Sequence, residues 1–371
     1  MAYNYFSGSY PESDVRFLLK PIQVENTSIV EKERLIQSGQ KHYSEMLSHE
    51  KLPSADYLAL FHRALTDNQV LMAKHSLILA KKICCRRSNG VTLVSLARAG
   101  TPVGVLLKRI LQEQFAQEVV HYSISIIRDI GIDENALLHI LSRHTPESLV
   151  FVDGWTGKGV ISRQLEISLQ AFAERYGIVI QPELYVLADL SGTAFISASA
   201  EDYLIPSSIL NATVSGLVSR SVIDKTQLSA TDFHGCYFYQ EYADTDLSKQ
   251  FVEVIMNCVH QLSENDILLT KAKEQELSAN IAYKQQLREQ SNQFINWIRR
   301  EFGISNLNLI KPGIGEATRV LLRREANLLL LRDDTDESVS HLLYLAKNKN
   351  IQIRIDPNLT YRAVALIKEC S

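Results

Sequence analysis

Residues Leu149–Ser162 read LVFVDGWTGKGVIS, and the expected architecture follows from them. Val150, Phe151 and Val152 form an apolar, β-favouring run, which predicts a buried strand. Asp153 follows as a single carboxylate. Gly154, Gly157 and Gly159 then allow a sharp turn and let a ligand approach the backbone N–H groups closely. From Val160 onward the pattern predicts a helix, whose unpaired N–H groups and positive dipole end suit a phosphate. Strand, carboxylate, glycine turn and helix in that order describe an anion cradle at the C-terminal end of a β-strand in an α/β fold.

The P-loop of nucleoside triphosphatases, GxxxxGK[ST], is excluded. Gly157-Lys158 is followed by Gly159, and the position five before Gly157 is Val152. The stretch resembles instead the loop with which type I phosphoribosyltransferases bind phosphoribosyl pyrophosphate (PRPP). Asp153, Gly154, Trp155 and Thr156 align with its second acidic residue, its spacers and its Thr, while Val152 stands at the first acidic position. A second unit, VTLVSLARAGTPVG from Val91 to Gly104, is again a strand, a small-residue turn and a helix opening near Pro102. It looks like the pyrophosphate loop of the same enzymes, with Ala97, Arg98, Ala99 and Gly100 in the turn. Between the two lies SISIIRDIGIDENALL (Ser123–Leu138), with Arg128 after a strand and Asp133 as a helix cap. In the resemblance Arg128 belongs to a mobile basic loop over the pyrophosphate; a connector with a surface arginine is the other reading.

The chain has 371 residues, enough for two or three domains, and an ordinary composition of 46% hydrophobic and 22% charged residues. No apolar run approaches the length of a membrane span, and MAYNYFSGSYPESDV lacks the apolar core of a signal peptide. Cys84, Cys85, Cys236, Cys258 and Cys370 form neither a CxxC pair nor a zinc spacing, so no metal site is expected from them. Reduced thiols in a cytoplasm are the expectation. The net charge of −3 is unevenly spread. Ser291–Ser371 holds 12 Lys+Arg and 9 Asp+Glu, leaving 27 and 33 for the preceding 290 residues. The tail therefore faces a different partner from the body.

Helical periodicity is read over Lys32–Leu47 and Ser54–Thr66. Strands are expected near 91–97, 122–127, 149–153, 184–188 and 236–240, alternating at first with helices as a parallel sheet requires. Residues 1–70 are read as a helical or hood segment, 71–265 as the sheet domain, 266–302 as a charged connecting helix, and 303–371 as a small α/β domain. Within that last domain the order is helix, strand, helix, strand and a final helix in TYRAVALIKEC.

Three further groups are candidates. Asp202–Val222 is rich in hydroxyls and carries Ser215 and Arg220, which suit a phosphate or carboxylate; a loop covering the sheet is the alternative. His42 and Tyr43, with Glu45 on the helix face of His42, suit a contact to a base-like substrate. Phe233-His234-Gly235-Cys236 invites a thiol nucleophile, but residues two apart on a strand offer poor geometry for a base and its nucleophile.

The whole chain resembles one bacterial family that joins a phosphoribosyltransferase-like domain to a C-terminal Pelota-type RNA-binding domain in tellurite-resistance and stress operons. The segments carrying the likeness are GSYPESDVRFLLKPI, SGQKHYSEML, VSLARAGTPVG, FVDGWTGKG, ILNATVSGLVSR and KPGIGEATRVLLRR. The family also bears the name cysteine protease StiP. The resemblance implies a type I phosphoribosyltransferase-like α/β core and Mg²⁺-dependent transfer of ribose 5-phosphate from PRPP to a base-like nitrogen. In that scheme Arg98, Arg128 and Asp153 are catalytic, the turn from Thr156 through Gly157 and Lys158 to Gly159 cradles the 5′-phosphate, and Gly154 and Trp155 complete the PRPP-binding loop. A hood contributes HYSEML. The Pelota- and L7Ae-like tail implies structured RNA on Gly313, Gly315, Arg319 and Arg323, with Glu316 and Arg324 nearby; a protein-docking module is the alternative. PRPP or another phosphorylated ribose is the expected small partner, a homo-oligomer is compatible with the sequence, and no membrane is. A cysteine protease and a PRPP- or nucleotide-sensing RNA-binding protein without turnover stand as alternative functions.

Overall fold

The computed structural model describes residues 6–87, 90–262 and 281–368. Its centre is a sheet in the order β1-β4-β3-β6-β7-β8. These strands are Arg16–Leu18 (β1), Val91–Ala97 (β3), Val119–Ile127 (β4), Leu149–Thr156 (β6), Leu184–Asp189 (β7) and Ile196–Ser199 (β8). Every neighbouring pair is parallel. Gly131–Ile132 (β5) adds an antiparallel edge to β4. The strands are buried along nearly their whole length, as their mainly apolar, β-favouring sequences require when both faces are covered.

Helices Ala55–Cys84 (α2), Gly100–Phe115 (α3) and Ser248–Gln261 (α6) cover one face, packing on Leu93, Val150, Val152 and Leu187. Glu134–Leu141 (α4) and Val160–Tyr176 (α5) cover the other, against Val94, Ile124 and Phe151. Caps fix the helix starts: Ser54 Oγ accepts from the Tyr57 N–H, and Asp133 Oδ1 from the Ala136 N–H at 3.0 Å. From β3 the chain passes through α3 to β4 on one side, and then returns to β6 on the other. The strand order therefore reverses between β3 and β6, and the turns after both strands lie at this switch point, where open α/β sheets bind ligands.

The tail is a second α/β unit. Its sheet runs β10-β13-β11-β12: Ile310–Pro312 (β10), Ala326–Leu331 (β11), Gln352–Ile355 (β12) and Ala363–Ile367 (β13). Its helices are Ile314–Arg323 (α8) and Ser340–Asn348 (α9), and Ile281–Glu301 (α7) leads into it. The rest of the expected connecting helix, 266–280, lies outside the described residues, as does Cys370.

Four local expectations fail for identifiable reasons. The helix read over Lys32–Leu47 is Ile29–Gln37 (α1), because Gly39 at φ +70° closes it, and a short 3₁₀ turn follows at Tyr43–Glu45. The first 70 residues are not purely helical, since β1 joins the main sheet and Lys20–Pro21 (β2) pairs with Gly235–Cys236 (β9). The strand read over 236–240 is confined to that short β9, outside the main sheet. The final helix is instead strand β13, a buried run held between β10 and β11.

Candidate functional site

At the switch point β6 ends in Thr156, and Gly157-Lys158-Gly159 turn the chain into α5. Gly159 is left-handed at φ +73°, and a Cβ there would lie 2.6 Å from Thr193 Cγ2, so the turn is built on glycine. The first turn of α5 has no side-chain cap, which leaves its N–H groups for a ligand. The Thr156 hydroxyl is already committed: it donates to Asp189 Oδ1 at 2.5 Å, and the same carboxylate accepts N–H groups from Ser191, Thr193 and Ala194. That network pins the adjacent turn.

The C-terminal unit sits directly on this turn. A Cβ on Gly157 would lie 3.0 Å from the Pro312 carbonyl oxygen, and one on Gly315 would lie 2.5 Å from the Trp155 ring. The Arg319 guanidinium lies over that ring, 4.5 Å from its centroid. Lys158 Nζ donates to the carbonyl of Ile310 at 2.8 Å and also to that of Leu307. Asp202, from the sheet domain, accepts the N–H groups of Ile314 at 2.9 Å and Arg362 at 2.8 Å, and so fastens the start of α8.

Between the two units lies a cavity of about 310 Å³, within the range of small-molecule sites. The sheet domain lines it with Asp153, the turn, Lys32, Tyr43, Arg128 and Arg220. The C-terminal unit contributes Lys311, Glu316, Arg319, Arg323 and Arg324. Burial pushes the Asp153 carboxyl up to about 6, against the pull of Arg319 and of the Gly154 N–H that it accepts at 2.8 Å. Burial draws Lys158 down to about 7, helped by Lys311, and Lys32 down to about 7, helped by Arg220. Tyr43 is the hub of the outer wall. Its hydroxyl accepts the Arg128 N–H at 2.9 Å, and the Arg128 and Arg220 guanidinia lie 5.3 and 5.4 Å from its ring centroid.

The expected site residues thus divide. The turn, Asp153, Trp155, Tyr43, Arg128, Arg220, Arg319 and Arg323 come together around one cavity. Arg98 does not join them. Its guanidinium donates to Glu50 Oε1 at 2.5 Å and to the Val218 carbonyl at 2.8 Å, and the residue is buried. Ala97, Ala99 and Gly100 run close beneath: a Cβ on Gly100 would lie 2.3 Å from the Val152 carbonyl oxygen. Ser215 is buried and donates to the Asn211 carbonyl. His42 caps the 3₁₀ turn through Nδ1, which lies 2.8 Å from Ser44 Oγ, and His42 Nε2 is buried without a partner. Gly313 and Gly315 pack on Leu190 and Trp155, so the side expected to meet RNA faces the sheet domain. Lys32 and Lys311 escaped the sequence reading, because no local pattern marks two lysines 279 positions apart as neighbours of one cavity.

The fully buried Cys236 has its thiol pushed up by desolvation. His234, two residues earlier, keeps its ring Nδ1 2.7 Å from Ser125 Oγ, while its backbone N–H donates to Asp133 Oδ2 at 2.6 Å. Among the described residues no cysteine is hydrogen-bonded to a histidine. Of the cavity's carboxylates, Asp153 accepts the Gly154 N–H at 2.8 Å and Glu316 is engaged by Lys311 and Arg319. Among the described residues no helix is long and apolar enough to cross a membrane.

A family model described as tellurite-like stress resistance cysteine protease StiP matches residues 8–256, and a Pelota RNA-binding domain model matches residues 289–369. A curated protein of Acinetobacter baylyi, cysteine protease StiP, is 41% identical over 98% of this chain and 94% of its own length. Among solved structures, the hypoxanthine phosphoribosyltransferase of Trypanosoma cruzi matches at 15% identity over 35% of this chain and 77% of that one, with a TM-score of 0.26. The same enzyme in complex with IMP matches at 15% identity over 49% and 94%, again at 0.26. These scores are too low to carry an argument. The expected transfer of ribose from PRPP is overturned by the full-length relative and the family model, both of which are named for a cysteine protease.

Proposed function

We propose that this chain, which belongs to the StiP family of tellurite-like stress resistance cysteine proteases, is itself a thiol-dependent peptidase. The observation that carries the reading is 41% identity across 98% of the chain to a relative of that name. Cys236 is the candidate nucleophile: it lies in β9 two residues after His234, whose backbone N–H donates to the Asp133 carboxylate. Burial holds the His234 ring below the usual histidine range while the charge of Asp133 pulls it back up. The thiol is latent in this conformation: it is buried, protonated and without a histidine partner, so peptide hydrolysis requires β9 to open. The test is cleavage of a fluorescent casein by the full chain and by Cys236→Ser. Loss of cleavage in the variant supports the reading, and full activity in Cys236→Ser removes Cys236 from it. Iodoacetamide should label Cys236 slowly in the folded chain, and exposed Cys85 faster.

A second reading is favoured by the cavity. The uncapped start of α5, the glycine turn and the surrounding cations suit a phosphoryl group, so the chain binds a phosphorylated ligand without transferring it. The reversal of strand order at β3 and β6 supports a phosphoribosyltransferase-like core, and the Pelota match supports a Pelota- or L7Ae-like tail with RNA as its partner.

A further inference from the structure

The charges around the cavity do not balance. Eight cationic side chains line it, four from each unit, against Asp153 and Glu316. Two further carboxylates stand behind the wall, Glu33 on Arg324 at 2.5 Å and Asp129 on Arg128 at 2.9 Å, which still leaves eight cations to four acids. Glu316 is shared, 3.8 Å from Lys311 and 3.5 Å from Arg319. Arg323 gives one nitrogen to Asn211 Oδ1, and its buried Nε has no partner. The Lys32 ammonium has no hydrogen bond or ion pair among the described residues, although Lys32 is only 7% exposed and lies in the first turn of α1, where the helix dipole opposes a cation. Holding cations together out of water is costly, and an anion that joins them relieves that cost.

We infer that the seam between the two units binds a small polyphosphorylated molecule. One phosphoryl group sits on the Thr156–Gly159 turn, and the remainder is held by Lys32 and by the Lys311, Arg319 and Arg323 side chains of the C-terminal unit. The ligand thereby fastens that unit over the turn. This rests on the second reading above, that the turn takes a phosphate, and adds the class of ligand and the part played by the tail. A cavity of about 310 Å³ admits a small molecule and excludes a nucleic-acid duplex. The same cations that the sequence assigned to RNA are turned inward, so ligand and RNA compete for α8.

Isothermal calorimetry on the full chain at constant ionic strength tests this with tripolyphosphate, inorganic phosphate and ribose 5-phosphate as probes. Tripolyphosphate should bind at least 10-fold more tightly than either monophosphate. Lys311→Gln and Lys32→Met should each weaken tripolyphosphate by roughly 10-fold or more, the loss of one charge-assisted contact, and leave inorganic phosphate within about 2-fold. If phosphate binds but tripolyphosphate gains nothing, or if both variants are silent, the seam inference fails and the turn reading stands. If none of the three probes binds, both fail.

Discussion

Lys32→Met should make the unliganded protein more stable while weakening its hold on polyphosphate. In the folded chain burial draws the ammonium from 10.5 to about 7, with Arg220, Arg323 and Arg324 pushing the same way and Glu33 resisting. At about 1.36 kcal/mol per pH unit, keeping that ammonium charged costs on the order of 5 kcal/mol. Methionine retains the length of the apolar stem and a good helix propensity, so at pH 7 the variant should recover about 2 kcal/mol or more. The sign with pH follows from linkage. The folded pKa lies below the unfolded one, so between pH 7 and 10.5 the unfolded chain binds more protons, and wild-type stability from this group rises with pH. The advantage of Lys32→Met is therefore full at pH 7 and below and fades toward pH 10.5. Urea denaturation at pH 6, 8 and 10 reads this directly. A variant less stable than wild type at pH 6, or a gain that does not shrink by pH 10, would refute the reasoning.

Arg98→Met should destabilise by about 3–5 kcal/mol, since it strands the buried Glu50 carboxylate, and lowering the pH to 4 should recover part of that loss by protonating Glu50; equal losses at pH 4 and 7 would argue against the pair. Binding of tripolyphosphate at pH 8 should take up about one to two protons, because Lys32 and Lys158, both near 7 when unliganded, recharge against the anion. For Lys158 the groups facing it are Lys311, Glu316 and Arg128, and calorimetry in buffers of different ionisation enthalpy counts the protons. Gly315→Val would drive a side chain into the Trp155 ring and lift the C-terminal unit off the turn. It should weaken tripolyphosphate and strengthen the gel-shift of structured RNA at low salt, with a steep fall as salt rises; an unchanged gel-shift would mean that the inward face of α8 is not the RNA surface.

The parallel sheet was legible because β3, β4, β6 and β7 are predominantly apolar, β-favouring segments broken only by small or singly placed polar residues, as strands covered on both faces require. The glycine turn after β6 was legible for a different reason: its glycines carry a backbone demand that shows in the letters. Ala363–Ile367 misled, because a short apolar run does not declare its period, and only its place between two antiparallel partners makes it a strand. The destination of Arg98 was beyond reach, since its partner Glu50 lies 48 residues away on a loop with no motif. Arg319 and Arg323 lie four residues apart on α8, but the letters do not say that this helix looks inward onto Trp155.

That inward turn bears on both readings of function. A buried polar group is ordinarily satisfied, and a sequence is ordinarily consistent with its fold at every level except where function requires otherwise. Cys236 obeys the rule: an apolar neighbourhood keeps its thiol neutral, which stabilises the fold and silences the nucleophile. The seam breaks the rule, with an unpartnered Arg323 Nε and two lysines drawn down to about 7 in one cavity. The cost of holding the seam unliganded falls on the junction between the units, so an anion there stabilises the closed arrangement selectively. A latent thiol in the sheet domain and a ligand-dependent junction are compatible in one molecule if the junction governs how readily the sheet domain opens. Comparing the rate of Cys236 alkylation with and without tripolyphosphate separates the two: slower labelling with the anion couples them, and an unchanged rate leaves the thiol and the seam independent.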